Sequence, residues 1–224
     1  MINKRESLSD IAYKKIENMI VFSKIPAGCI KTEKELSKQL DIGRMPVREA
    51  IIRLSLENAV RIIPYKGIYF PEIDLNEFFL QLETRRVLEA LMAGKAAKFA
   101  NSHEREELLT LGDQFRDAVL DNNVVLAMEL DNDMNKCMEE CCRNPFIGHA
   151  LQPLYLSGRR LYYRNFYSNR QSTLDIAYAH RELAHAISKG DEDAAVNASN
   201  KNIDIIVQMT RSSIGTDIYK VNNL

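Results

Sequence analysis

Residues 32–67 constrain the fold most, because they have the pattern of two short helices, a tight turn and a basic hairpin. Thr32 and Glu35 have the spacing of a capping box, which predicts the start of the first helix. The segment 41–43 then interrupts the helical pattern, and Gly43 is expected to take a backbone conformation that most residues avoid. The sequence therefore predicts a helix-turn-helix followed by a β-wing.

The second helix of this segment has an apolar face and a basic face. Pro46 fits its first turn, where a missing N–H is tolerated. The apolar face is formed by Val47, Ala50 or Ile51, and Leu54. Three arginines project off that face, toward water or a polyanion: Arg44, Arg48 and Arg53. Two short strands, 60–63 and 68–70, then flank a basic turn.

This arrangement points to DNA, because an α-helix fits the major groove and presents its N-terminal residues to base edges. Arg44 and Arg48 are four residues apart on one helix face, and an arginine there can bind guanine or a phosphate. Isolated surface arginines are usually only solvated charges, so the prediction depends on the helix, turn and hairpin occurring together. The candidate DNA-binding residues are Lys34, Arg44, Met45, Arg48, Lys66 and Gly67.

The segment 43–50, together with the Lys66-Gly67 hairpin, resembles the GntR family of bacterial transcription regulators. The family's usual form of this segment is Ser-Arg-Thr-Pro-Val-Arg-Glu-Ala. This chain has Gly43 in place of the capping serine and Met45 in place of threonine. Both positions lie near the expected DNA surface, so the preferred operator sequence is expected to differ from that of relatives.

Charge is divided unevenly along the chain, although the whole chain has a net charge of −1. Residues 1–70 have 13 Lys and Arg against 8 Asp and Glu, a net of +5, and residues 71–224 have a net of −6. A basic N-terminal third beside an acidic remainder supports a DNA-binding domain attached to a different module.

Localisation is predicted from two absences in the sequence. No apolar run approaches the ~18 residues of a membrane helix, and residues 1–10 lack the apolar core of a signal peptide. The sequence therefore predicts a cytoplasmic protein with no membrane partner. The four cysteines are expected to be buried or partly exposed thiols rather than disulfides or a zinc site.

Beyond the hairpin the pattern is helical throughout. Six helices are predicted, near 75–101, 103–121, 123–142, 145–167, 173–189 and 191–213. The fold class is therefore mainly α, with a winged helix-turn-helix domain at 1–73 and an all-α bundle of about six helices at 74–224. The bundle is expected to bind an effector and to mediate dimerisation.

Four polar residues share helix faces with apolar residues, where burial without a partner is costly: Asp131, Asn135, His180 and Asn202. Any one of them alone is more often a hydrogen-bonded core residue than a ligand-binding residue. Because they come from three helices, they could meet at a small cavity inside the bundle. Arg85, Tyr162 and Tyr163 are further candidates to line it, although ion pairing or packing would also explain them.

The second domain resembles the FCD effector domain found in one branch of the GntR family. The resemblance is carried by Asp131, Asn144-Pro145 and the run from His180 to Leu183. In that family an aspartate and three histidines commonly bind a divalent metal. Here two of the histidine positions fall on Asn135 and Asn202.

This replacement leaves one carboxylate and one imidazole, too few strong donors for tight Zn²⁺ or Ni²⁺ binding. The sequence therefore predicts no metal site and no certain cofactor. Mg²⁺ and Ca²⁺ remain open, because amide oxygens suit them better. In the resemblance Arg85 corresponds to an arginine that can bind an anion, which points to an organic, anionic effector or to ordered water.

The leading interpretation is a homodimeric, sequence-specific transcription regulator that binds double-stranded operator DNA and senses a small metabolite, with an organic acid favoured. No catalytic residues are predicted. One alternative is a helical metal- or ligand-dependent enzyme whose winged helix serves protein contacts. Another is an architectural DNA-binding protein with no effector, which would need no cavity in the bundle.

Overall fold

The structure is a computed structural model that describes residues 6–221, with side chains described for residues 6–212. Residues 1–5, on which the signal-peptide argument partly depends, lie outside this part. The chain divides into two compact units. The first comprises Met1–Asp74 with Gln152–Arg160, and the second comprises Leu75–Leu151 with Leu161–Leu224.

The first unit contains three helices and a small sheet. The helices are α1 (Leu8–Val21), α2 (Glu33–Leu40) and α3 (Arg44–Leu56). The predicted capping box of α2 is confirmed. The backbone N–H of Glu35 donates to the hydroxyl of Thr32, and the backbone N–H of Thr32 donates to the carboxylate of Glu35. The apolar faces meet in one core, whose fully buried side chains include Ile16, Leu36, Val47, Ile51 and Leu54.

The turn between α2 and α3 differs from the expectation for Gly43. Gly43 has a φ of −55° and is the N-cap of α3, whereas Asp41 takes the left-handed conformation, with a φ of 53°. Asp41 occupies the C-cap of α2, where its N–H bonds to the carbonyl of Ser37. A left-handed residue at this position closes the helix end, and aspartate tolerates the conformation better than most side chains do.

The wing is a three-stranded antiparallel sheet rather than the predicted pair of strands. The strands β1 (Ile30–Lys31), β2 (Arg61–Ile63) and β3 (Gly67–Tyr69) lie in the order β1-β3-β2. β1 is only two residues long, too short to leave an alternating pattern in the sequence. Gly67 has a φ of 122°, and a Cβ there would lie 2.6 Å from the carbonyl oxygen of Lys31, so this position requires glycine.

The second unit is a helical bundle, and the predicted all-α fold class is confirmed. Its helices in the described residues are α4 (Leu75–Phe99), α5 (Ser102–Leu120), α6 (Val124–Cys141), α7 (Pro145–Asn165), α8 (Arg170–Lys189) and α9 (Glu192–Val221). The segment Gln152–Arg160 of α7 belongs to the first unit. Helix α5 packs on α6 and α8, and α9 packs on α4 and α8. Gly112 allows the close approach of α5 to α8, because a Cβ there would lie 2.7 Å from the Cβ of Ala184.

The bundle core is apolar and contains the clustered cysteines as free thiols, as expected. Sγ of Cys137 lies 3.9 Å from Sγ of Cys141. This hydrogen bond and burial both raise the pKa of the Cys141 thiol, so it stays protonated near neutral pH. Among the helices described, none combines the length and apolar character that crossing a bilayer requires.

Candidate functional site

The N-terminal end of α3 presents an open surface. Arg44, Met45 and Arg48 are all exposed, and the side chain of Met45 remains 64% accessible. Nε of Arg48 lies 3.9 Å from Oε1 of Glu33. Both side chains are solvent-exposed, and such a pair contributes little, so Arg48 can exchange Glu33 for another anion at small cost.

Arg53 does not belong to this surface, contrary to the sequence interpretation. Its guanidinium donates to the carboxylate of Asp10 at 2.7 Å and lies 4.3 Å from the ring centroid of Tyr13. The hydroxyl of Tyr13 donates in turn to the carboxylate of Glu57 at 2.6 Å. Arg53 therefore links α3 to α1, and no local pattern distinguished it from Arg44 and Arg48.

The wing and α2 each contribute one exposed lysine to the first unit. Lys66 is exposed at the tip of the β2–β3 turn, next to Gly67, and Tyr65 beside it is fully exposed. Lys34 is exposed on the first turn of α2. The predicted DNA-binding residues are therefore accessible in the first unit, as phosphate contacts require.

In the second unit, His180 of α8 and Asp131 of α6 are in direct contact. Nε2 of His180 lies 3.1 Å from Oδ1 of Asp131, and Nδ1 lies 2.9 Å from the carbonyl oxygen of Ile176. A carbonyl and an ionised carboxylate only accept, so both ring nitrogens must carry hydrogen for both bonds to form. Burial alone lowers the pKa of His180, but the bond to Asp131 and nearby negative charge outweigh it, and the net pKa is raised.

The side-chain amide of Asn135 binds the same carboxylate, that of Asp131. Its Nδ2 donates to Oδ2 of Asp131 at 3.5 Å, one turn along α6. Phe115 of α5 packs on the imidazole, with ring centroids 4.6 Å apart. Three of the residues that the sequence singled out on α6 and α8 are thus brought together around one carboxylate.

Arg85 lies on α4 in a buried ion pair with Glu89. Its Nε donates to Oε1 of Glu89 at 2.7 Å, and the two side chains are 9% and 10% exposed. The negative charge of Glu89 also contributes to raising the pKa of His180, which places the pair near the imidazole. Glu89 was not among the predicted site residues, although its spacing of four residues from Arg85 on a helix is the signal of such a pair.

In the second unit, four buried polar atoms lack a hydrogen-bond partner within the part of the chain that the structure describes. They are Oε1 of Gln81, Oδ1 of Asn202, the hydroxyl of Tyr162 and Nη1 of Arg170. Burial, together with the charge of Asp131, raises the pKa of Tyr162, so its hydroxyl lies within electrostatic reach of that carboxylate. The charge of Arg170 acts on Tyr162 in the opposite direction. Each such atom costs roughly 1–3 kcal/mol unless a partner from outside the chain satisfies it.

The donor set does not suit a transition metal. Asp131 and His180 are bonded to each other, and the remaining positions offer the amides of Asn135 and Asn202. No group of three His, Cys, Asp or Glu within the described ranges is arranged to hold an ion. Zinc sites use three or four strong ligands, and a neutral amide is a weak ligand for zinc or nickel.

Two family models match this chain. One, described as "Bacterial regulatory proteins, gntR family", matches residues 8–70, and the other, described as "FCD domain", matches residues 81–204. The second match alone covers more than half of the chain.

Similar proteins agree with these matches. An Escherichia coli protein described as "HTH-type transcriptional repressor RspR" is 23% identical over 210 residues, covering 94% of this chain and 92% of its own length. The solved structure of E. coli McbR/YncC matches 96% of this chain and 99% of its own, with a TM-score of 0.76 at 16% identity. The solved structure of a putative GntR regulator from Rhodococcus sp. RHA1 covers 90% of this chain and 96% of its own, with a TM-score of 0.70. At these identities the structures support the fold alone.

Proposed function

The chain belongs to the GntR family of bacterial regulatory proteins and carries an FCD domain, and on that premise we propose that it works as a homodimer whose operator affinity depends on a small organic acid bound in the helical bundle. The protein is a DNA-binding transcription regulator and not an enzyme, as both family matches and the regulator relatives indicate. Because the proposed operator is bacterial DNA, the proposed action takes place in the cytoplasm.

The proposed DNA contacts follow from the exposed N-terminal end of α3. Arg44 and Arg48 enter the major groove, Met45 meets base edges between them, and Lys34, Lys66 and Gly67 approach the phosphate backbone. One recognition helix covers a half-site, so two copies related by a two-fold axis would match a pseudo-palindromic operator. Sedimentation of the free protein should give about twice 25.7 kDa, and a strict monomer with and without DNA would contradict the homodimer.

One observation carries the effector proposal: the unsatisfied polar atoms of Asn202, Tyr162 and Arg170 occur in the same unit as the Asp131–His180 pair. Tyr162 and Arg170 offer O–H and N–H donors, and Asn202 offers an acceptor. A ligand with a carboxylate and a hydroxyl group would satisfy all three. An architectural protein without an effector would gain nothing from leaving such atoms unpaired.

The charges favour an anionic ligand. Asp131 is balanced by His180, and Glu89 by Arg85, so these two pairs contribute no net charge. No acidic side chain in the described region pairs with Arg170, whose charge is left for a ligand carboxylate. Arg85 stays in the proposed site as the partner of Glu89, and a ligand would have to displace that carboxylate to reach the guanidinium.

Regulation follows from thermodynamic linkage. A ligand changes DNA affinity only if it binds the DNA-binding arrangement and the competing arrangement unequally. The proposed site joins α6, α7, α8 and α9 of the second unit, so an occupied site would alter the packing among these helices. Whether the ligand strengthens or weakens operator binding follows from which arrangement it prefers.

A thermal-shift panel tests the effector proposal. Lactate, malate and gluconate are compared with glycerol, which has hydroxyl groups but no carboxylate, and with MgCl₂ and ZnCl₂. We expect at least one hydroxy acid to raise the Tm, and Arg170→Gln and Asn202→Leu to abolish that rise. The matched control Arg116→Gln, which removes a surface arginine paired with Asp117, should keep it. A rise in Tm that survives both pocket substitutions would contradict the proposed site.

A further inference from the structure

The outward face of α3 is apolar, although this helix carries the arginines assigned to DNA. The residues that turn toward the core of the first unit are Val47, Ala50, Ile51 and Leu54. On the opposite side Met45, Ile52 and Leu56 remain 64%, 45% and 79% exposed. Apolar residues scattered singly over a surface need no explanation, but these three follow one line along the helix. They form the outward stripe of α3.

The arginines lie beside the outward stripe and not within it. Successive residues of an α-helix are rotated by about 100°, so Met45 and Ile52 point within about 20° of each other. Arg48 lies about 60° to one side of Met45, and Arg44 lies about 100° to the same side. Glu49 lies about 40° to the other side and is exposed. A helix placed in the major groove with this stripe toward the bases therefore brings its arginines to one wall of the groove.

The group of DNA that matches an apolar side chain in the major groove is the C5 methyl group of thymine. The other groups that distinguish the base pairs there donate or accept a hydrogen bond. A donor or acceptor covered by Met45 or Ile52 would lose water without gaining a partner, which is costly. A methyl group covered by the same side chains gains contact and loses no hydrogen bond. Met45 is unbranched and polarisable, so it adapts well to such a surface.

We infer that Met45 and Ile52 each contact the C5 methyl group of a thymine and thereby determine part of the operator sequence. The two residues are seven positions apart, about 10.5 Å along the helix, so they reach different base pairs. Leu56 lies about 6 Å further toward the C-terminal end, whereas the N-terminal residues of a recognition helix meet base edges. The inference rests on the proposed assignment of α3 as the recognition helix and names a chemical group that this helix reads.

Replacement of operator thymines by deoxyuridine tests the inference, because it removes the methyl group and leaves base pairing intact. The operator is the one selected with wild-type protein, and each thymine is replaced in both half-sites at once. Fluorescence anisotropy measures the dissociation constant of the full-length protein. We expect the constant to rise about 15-fold at two positions of the half-site, which is about fourfold for each methyl group that loses its contact. Replacement of the remaining thymines should leave it unchanged.

Two alanine variants assign the methyl groups to residues. Met45→Ala should lose the deoxyuridine effect at one position and keep it at the other, and Ile52→Ala should do the reverse. Leu56→Ala is the matched control, because it shortens an exposed apolar side chain of the same helix, and it should keep both effects. If both effects survive in Met45→Ala and in Ile52→Ala, other residues read the methyl groups and the inference is wrong.

Failure of the methyl contacts is distinguishable from failure of operator binding. If the half-sites contain no thymine, or if deoxyuridine changes nothing in wild type, the outward stripe does not read thymine while operator binding stands. The stripe is then a surface for a protein partner. If wild type selects no operator, the proposed function itself fails.

Discussion

His180 and Asp131 form a buried, charge-assisted contact between α8 and α6, with Nε2 and Oδ1 3.1 Å apart. The carbonyl of Ile176 accepts from the other ring nitrogen at 2.9 Å, which requires the imidazolium form. A proton therefore occupies the nitrogen that a metal ion would need. The contact links the protonation state of one histidine to the stability of the bundle.

This contact predicts a pH-dependent stability. The pKa of His180 is raised in the folded protein, so its contribution is complete below the ordinary value of 6.5 and is lost as pH rises through the folded-state pKa. Substituting Asp131→Asn removes the main cause of the raised pKa. We expect the difference in free energy of unfolding between wild type and this variant to fall by about 1 kcal/mol between pH 6 and pH 8. Urea unfolding at several pH values measures it.

The control for the pH prediction lies on the same helix. His185 is an exposed histidine of α8, and His185→Gln should preserve the wild-type pH dependence. If the free energy of unfolding changes equally with pH in wild type and in Asp131→Asn, the His180 contact does not govern stability between about pH 6 and pH 8.

Metal content is predicted to depend on two amides. Wild-type protein purified without chelator should contain no stoichiometric zinc or nickel, because Asn135 and Asn202 are weak ligands for these ions. The double substitution Asn135→His with Asn202→His supplies two more imidazoles and should acquire metal. Elemental analysis of both proteins is the measurement. Near-stoichiometric metal in wild type that is lost on His180→Ala would reverse the conclusion.

Arg105 is predicted to be a major stabilising residue of the bundle. Its guanidinium donates to the carbonyls of Ala97 at 2.6 Å, Ala100 at 2.8 Å and Ile187 at 2.7 Å, at the C-terminal ends of α4 and α8. Helix-end carbonyls lack partners within their own helix. Arg105→Ala should therefore lower the free energy of unfolding by about 2–3 kcal/mol, measured in urea.

The comparison for Arg105 is a surface arginine of the same helix. Arg116 pairs with Asp113 and Asp117 in partly exposed contacts, and Arg116→Ala should change the free energy by about 0–1 kcal/mol. Gly190→Ala should also destabilise the bundle, since this position has a φ of 74° and its Cβ would lie 2.8 Å from Nη1 of Arg105. Equal effects of Arg105→Ala and Arg116→Ala would contradict the assignment.

The fold was predictable from the sequence because its signals are local. The capping box at Thr32 and the helical periods of the bundle depend on residues a few positions apart. β1 was missed because two residues cannot show an alternating pattern, and its pairing with β3 is set by a distant segment. Gly43 was misassigned because the chain reverses two residues earlier, at Asp41.

The candidate site was only partly predictable, because its contacts are long-range. The pattern of polar residues on apolar faces identified Asp131 and His180, which are 49 positions apart and meet in the structure. The i,i+4 spacing of Arg85 and Glu89 could have indicated their ion pair, but it was not used. No pattern indicated that Arg170 has an unsatisfied N–H, because that depends on the packing of helices and not on the spacing of residues within one.

Operator affinity of Arg48→Ala tests the central claim, that α3 reads DNA, most directly. The operator is selected from genomic fragments with wild-type protein, and fluorescence anisotropy then measures binding over a range of salt concentrations. We expect Arg48→Ala to lose about 1–3 kcal/mol of specific binding, wild-type affinity to fall steeply with salt, and the bundle control Arg116→Ala to bind as wild type does. If Arg48→Ala binds the selected operator as tightly as wild type, the assignment of α3 as the recognition helix is wrong.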